Sequence, residues 1–237
     1  MKMKHSLLAM VSVVFLLMAL GVASADVYIE SEQVSQGSPG QTAPTTTILK
    51  SYLSQDATRT DMQGRTTIID FNTKMLYDLD PVKKTYTQTS IEKMGMSDEK
   101  SQELANNPMY KTMMQAMSQS AKVTPTNETK TIEGYKCKKY LVTIMMAQAD
   151  YWSSKDVKGY DEMKAIGEKT AKLFESNPML KQTNILGLMK ELDGYPVQTV
   201  TKVMSSSTTT TLKKIETKKL DKELFKVPKE YKLVKEK

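Results

Sequence analysis

Between residues 46 and 88 the chain reads as five short strand-like segments separated by connections of about two residues, and this spacing restricts the fold more than any other feature. The segments are Thr46–Leu53, Ala57–Met62, Arg65–Phe71, Lys74–Leu79 and Lys83–Gln88, punctuated by Gln55-Asp56, Gln63-Gly64, Asn72-Thr73 and Asp80-Pro81. A parallel crossover needs about a dozen residues or more, so these neighbours can only run antiparallel, as a β-meander. Alternation within it places Met75, Tyr77 and Leu79 on one face and Leu76 and Asp78 on the other. A strand over Val27 to Gln36 precedes the meander and ends in the breaker Gly37-Ser38-Pro39-Gly40.

After the meander the hydrophobic period changes from two to 3.6. A helix is predicted from Ser97 or Asp98 to about Ser120, with a break at Asn107-Pro108. Met109, Met113 and Met117 fall at i, i+4 and i+8, with Tyr110 and Met114 beside them, so one helix face is thioether and ring. Strand character returns from Thr131 to Met146 and continues towards Trp152. A helix follows over Tyr160 to Ser176, then a shorter one carrying Ile185, Leu188, Met189 and Leu192 and closed by Gly194. Strands near Pro196–Ser205 and Thr208–Lys218 precede a short tail. This order has no βα alternation and no Gly-rich phosphate loop. The fold class is α+β, with a strongly curved antiparallel sheet and amphipathic helices on its concave side.

The stretch from Met1 to Ala25 reads as a secretory signal: Lys2 and Lys4, an apolar run from Leu7 to Leu20, and the small-residue site Ala23-Ser24-Ala25. Residues 26–237 are then expected as a single exported domain, in the periplasm or the medium. The only histidine, His5, leaves with this leader. Without imidazole, Ser-His and Cys-His nucleophilic sites and the usual zinc sites are excluded, and the chain is not expected to be an enzyme or to carry a cofactor. Cys137 is the single cysteine and reads as a buried, inert thiol. Asp161 and Glu162 open a helix, where the dipole favours acids without any catalytic role.

Removing Lys2 and Lys4 from the 34 basic residues leaves 32 against 27 acids, and only Arg59 and Arg65 among them are arginines. Lysine interspersed with acids is a solvated surface. Nucleic acid is therefore not an expected partner, and the residual use of the charge is a weak contact with an anionic membrane surface.

Several motifs together carry a family resemblance. They are Ile69-Asp70-Phe71, Tyr77-Asp78-Leu79-Asp80-Pro81 with Lys84 and Tyr86, the run Gly134 to Tyr140, Trp152 before a helix, Gly194-Tyr195-Pro196, and Phe225-Lys226-Val227-Pro228 with Tyr231. Over residues 45 to 234 the chain resembles a family of exported bacterial proteins classed as a domain of unknown function. That family is distantly similar to the periplasmic lipoprotein carriers and outer-membrane lipoprotein receptors (LolA/LolB-like). The resemblance implies a half-barrel of antiparallel strands with a helical lid over an apolar cavity.

The methionine stripe alone admits core packing, a ligand-facing surface or thioether ligation of a soft metal. Trp152 admits a packing anchor or a ligand platform. The resemblance implies the ligand-facing reading, with Met109, Tyr110, Met113, Met117 and Trp152 as candidate binding residues for a lipid-like or other hydrophobic ligand. An envelope protein bound by the same fold with a filled cavity, in an interaction or stress-sensor module, is the alternative.

Overall fold

The structure of the protein is a computed structural model that describes residues 25–37, 42–94, 106–145, 147–177, 180–181, 187 and 190–235. The expected leader, the first part of the Ser97–Ser120 helix and most of the Ile185–Leu192 helix lie outside these residues.

The meander forms as its connections require. Strands β1 (Val27–Gln36), β2 (Thr45–Leu53), β3 (Ala57–Met62), β4 (Arg65–Asp70), β5 (Met75–Asp80) and β6 (Thr85–Ser90) pair antiparallel in succession. A 3-10 turn over Ile91–Lys93 closes this half. The second half holds helix α1 (Pro108–Ser120), strands β7 (Lys122–Ile132), β8 (Tyr135–Ile144) and β9 (Ala147–Ser154), and helix α2 (Tyr160–Glu175). Strands β10 (Tyr195–Val203) and β11 (Ser206–Thr217), a 3-10 turn over Lys222–Phe225 and the two-residue strand β12 (Lys232–Leu233) complete the chain. Among the described residues all twelve strands form one open, curved sheet in the order β12-β6-β5-β4-β3-β2-β1-β11-β10-β9-β8-β7. Every pairing is antiparallel except β12 with β6.

Local chemistry sets the boundaries. At the head of α1, Asn107 Oδ1 accepts from the backbone N–H of Met109 at 2.8 Å. Pro108 takes the first helical position, where no N–H is needed. The expected break is thus the helix start. The strand expected over Thr131 to Met146 is cut by Glu133 at φ 49° and Gly134 at φ 83°. Two successive positive φ values are the backbone of a tight hairpin, here the one between β7 and β8. Strand β7 itself departs from the reading, because Pro125 and a Thr, Asn, Glu and Lys run hide it. It is an edge strand whose ladder is irregular between Pro125 and Thr129, where proline is tolerated.

Helix α2 lies against the sheet. Met163 and Ile166 pack with Val27, Ile29, Leu53, Tyr195, Val197 and Leu212, all buried. Further along, Ala171, Leu173 and Phe174 meet Ile69 and Ile91. The buried Asn177 fixes the end of α2: its Nδ2 donates to Ile91 O (2.7 Å) and Met94 O (2.9 Å), and its Oδ1 accepts from Leu180 N (3.1 Å).

The expected tail is a strap. Leu220 N donates to Asp26 Oδ2 (2.8 Å) and Arg59 Nη1 donates to Leu224 O (3.0 Å) before the chain reaches β6. The register pairs Ile69 with Leu76 on one face and Ile68 with Tyr77 on the other, so the Tyr77/Leu79 and Leu76/Asp78 split holds. Ile68 and Leu79 are nevertheless fully buried, and the 3-10 turn of the strap touches β3 and β4.

Candidate functional site

Helix α1 is the element on which the expected site depends. It touches β8, and Met145 N donates to Ser120 Oγ at 2.9 Å, which ties its last residue to the β8–β9 turn. Met109 is 81% exposed and Met113 47% exposed, so core packing does not describe them. The physical reason is that, among the described residues, the three apolar clusters draw nothing from α1 itself; Ala121, just beyond it, packs on Val123, Tyr140, Val142, Ala149 and Tyr151. Tyr110 is half-buried, and that burial raises its phenol pKa. Met117 follows one turn beyond Met113 in the helix backbone, and its side chain, like that of Met114, lies outside the described residues.

Trp152 occupies a different part of the fold. It lies on β9 opposite Lys139, is only 8% exposed, and belongs to the cluster beneath α2. Lys130 Nζ sits 4.1 Å from the ring centroid and donates to Gln198 Oε1 at 3.0 Å. Lys139 Nζ lies 5.6 Å from the same centroid. Both distances are within the range at which a cation is attracted to a ring face. Glu128 (3.1 Å) and Asp150 (3.3 Å) hold Lys139 and raise its pKa, Glu128 through the larger effect. The indole is packed in this cluster with Lys130 and Lys139 over its ring.

Cys137 is buried, its Sγ donates to Tyr135 O at 3.4 Å, and burial pushes the thiol pKa up. A thiol held protonated in this way is inert.

Sequence reasoning missed one surface feature. Both arginines of the expected mature chain border an open depression of about 340 Å³ with Ile48, Lys50, Asp61 and Met62. Arg59 Nε donates to Asp61 Oδ1 (2.9 Å), and Arg65 pairs with Asp78 and Asp80. Acids thus neutralise both guanidinium groups, so the depression is not an anion trap. The scarcity of arginine was the one signal that could have directed attention to it.

The family model described as a domain of unknown function, DUF4412, matches residues 41–231, most of the chain. The chain belongs to the DUF4412 family. Among curated proteins none matches. Among solved structures, this DUF4412 chain is similar to PNGF-II (15% identity, TM-score 0.42), covering 88% of this chain and 30% of that one. It therefore spans less than a third of the length of PNGF-II. It is similar to a LolA superfamily protein, NE2245, from Nitrosomonas europaea (8% identity, TM-score 0.35), covering 87% of this chain and 92% of that one. Lipoprotein LppX from Mycobacterium tuberculosis is a further match (10% identity, TM-score 0.36), covering 79% of this chain and 85% of that one. The DUF4412 match bears out the expected family, and the LolA superfamily protein and lipoprotein LppX appear only as distant likenesses. Among the described residues no helix is long and apolar enough to cross a membrane.

Proposed function

We propose that this DUF4412 protein is an exported, noncatalytic binding module that holds a lipid-like or other hydrophobic ligand. In this reading residues 1–25 are removed, residues 26–237 act as one LolA-like domain, and the helices occupy the concave side of the sheet. The observation that carries it is the exposure of thioether on α1: Met109 at 81% and Met113 at 47% present adaptable apolar surface to solvent. Met109, Tyr110, Met113 and Met117 line the ligand, and Trp152 supports the sheet behind its lysine cap. The absence of imidazole after processing supports a role in holding a molecule without transforming it.

One observation favours the alternative, a protein-interaction or stress-sensor module: the space beneath α2 is filled, with Val27, Ile29, Met163, Ile166, Tyr195 and Val197 packed together and fully buried. Mass spectrometry of a lipid extract from protein purified out of its own envelope separates the two. Stoichiometric lipid supports the carrier; a co-purifying envelope protein without lipid supports the interaction module.

A further inference from the structure

The two ends of the sheet differ in what their turns expose. At the end holding Ser54–Asp56, Phe71–Lys74 and Glu133-Gly134, no turn exposes a large apolar side chain among the described residues, since Phe71 packs inward. The antiparallel register brings the β5–β6, β8–β9 and β10–β11 turns to the opposite end. There Val82 is 86% exposed, Met204 84% and Met145 53%. The β8–β9 and β10–β11 tips are neighbours, because Ala147 pairs with both Ile144 and Val203.

Neither packing nor backbone geometry explains these residues. Met145 and Met204 both sit at φ 53°. That is the left-handed region, which bulky side chains avoid and which Gly or Asn occupies at less cost. In the matching first position of the β3–β4 and β7–β8 turns stand the polar residues Gln63 at φ 50° and Glu133 at φ 49°. The turn backbone thus accepts a polar residue at these tips, and folding does not require an exposed methionine there.

Charge surrounds them. Lys84 follows Val82 by two residues, Lys202 precedes Met204 by two, and Lys122 pairs with Thr143 beside the Met145 tip. All three lysines are exposed, and none has an acidic partner among the described residues. An arc of apolar tips interleaved with free ammonium groups matches the interface of an anionic bilayer, where thioether and alkyl groups enter the headgroup region and lysines meet phosphate.

We propose that this rim docks the protein on an anionic lipid surface, with Val82, Met145 and Met204 inserted and Lys84, Lys122 and Lys202 facing lipid phosphates. The inference is independent of whether α1 holds a ligand.

Flotation of the purified protein with two kinds of vesicle tests it: phosphatidylcholine alone, and phosphatidylcholine with phosphatidylglycerol. Wild type should float with the mixed vesicles, about tenfold less with the neutral ones, and less again at high salt. The triple variant Val82→Asn, Met145→Asn, Met204→Asn leaves α1 intact and should lose binding by about tenfold or more. Because Asn suits turns and the left-handed region, this variant should melt no lower than wild type, so lost binding cannot be attributed to unfolding. Equal flotation of variant and wild type would overturn the proposal, as would a wild type that ignores anionic vesicles. A wild type that dimerises without lipid while the variant is monomeric would assign the rim to a second copy of the chain and equally overturn it.

Discussion

Lys130 lies over the face of Trp152, its Nζ 4.1 Å from the ring centroid, while Gln198 Oε1 accepts from the same ammonium at 3.0 Å. The contact ties edge strand β7 to β9 and β10, across β8. Lys130→Ala should cost about 0.5–1 kcal/mol, the range for an exposed cation over a ring. Trp152 is the sole tryptophan, so its emission reports the site directly and should shift to longer wavelength as water reaches the indole. Unchanged emission would show that the lysine does not shield the ring.

The hydroxyl of Tyr195 is buried with no hydrogen-bond partner among the described residues. Tyr195→Phe removes a desolvated polar group and no bond, and should raise stability by about 1–3 kcal/mol in denaturant unfolding. Burial also raises the phenol pKa of Tyr195 and of Tyr151, disfavouring the phenolate in the folded state. Their contribution is therefore complete below the ordinary value of 10.0 and is lost as pH rises above it. The Phe variant should unfold at higher pH than wild type in an alkaline titration.

At the other extreme of pH, Glu216 accepts from Lys214 (2.8 Å) and Lys218, which lower its carboxyl pKa to about 2 from the ordinary 4.5. Its stabilisation is present above pH 4.5 and is lost as pH falls through about 2. Asp80, through Lys83, and Glu92, through Lys74, shift in the same direction. These carboxylates are solvated, so the effect is modest and screened by salt. Glu216→Gln should flatten the acid limb of a low-salt melting profile, and high salt should abolish the difference from wild type.

Leu79 is buried although it lies in a solvent-alternating meander. Leu79→Ala should cost about 2–5 kcal/mol, the range for a core cavity rather than for a surface site. A cost below about 0.5 kcal/mol, the level of an ordinary surface substitution, would show that Leu79 is not part of a packed core.

The meander was legible because its turns leave no room for any crossover, and Val27–Gln36, Ala57–Met62 and the start of α2 at Tyr160 agree with their expected positions. What escaped reading has definite causes. Pro125 and the polar run after it suppress alternation in β7, where one edge has no partner strand to enforce it. The strap makes only two strand pairs, Lys232 with Thr85 and Leu233 with Tyr86, and short-range pattern gives no warning that Arg59 reaches Leu224. Periodicity placed Met109 and Met113 on one helix face but carries no information on how far a sheet covers that face, and here both stay exposed. For Trp152 the protecting residue, Lys130, comes from another strand, so the sequence around the indole could not distinguish an anchor from a platform.

The central claim, a hydrophobic ligand held on α1, is tested most directly by titrating wild type with a fluorescent polyene fatty acid and repeating the titration with Met109→Gln, Met113→Gln, Met117→Gln. Because Met109 and Met113 are exposed, their substitution should cost no more than about 0.5 kcal/mol of stability each. Saturable binding in wild type that weakens about tenfold or more in the variant is the predicted result, since each lost apolar contact removes part of the burial on which such affinity rests. Saturable binding that survives all three substitutions, or a wild type that binds no probe, would contradict it.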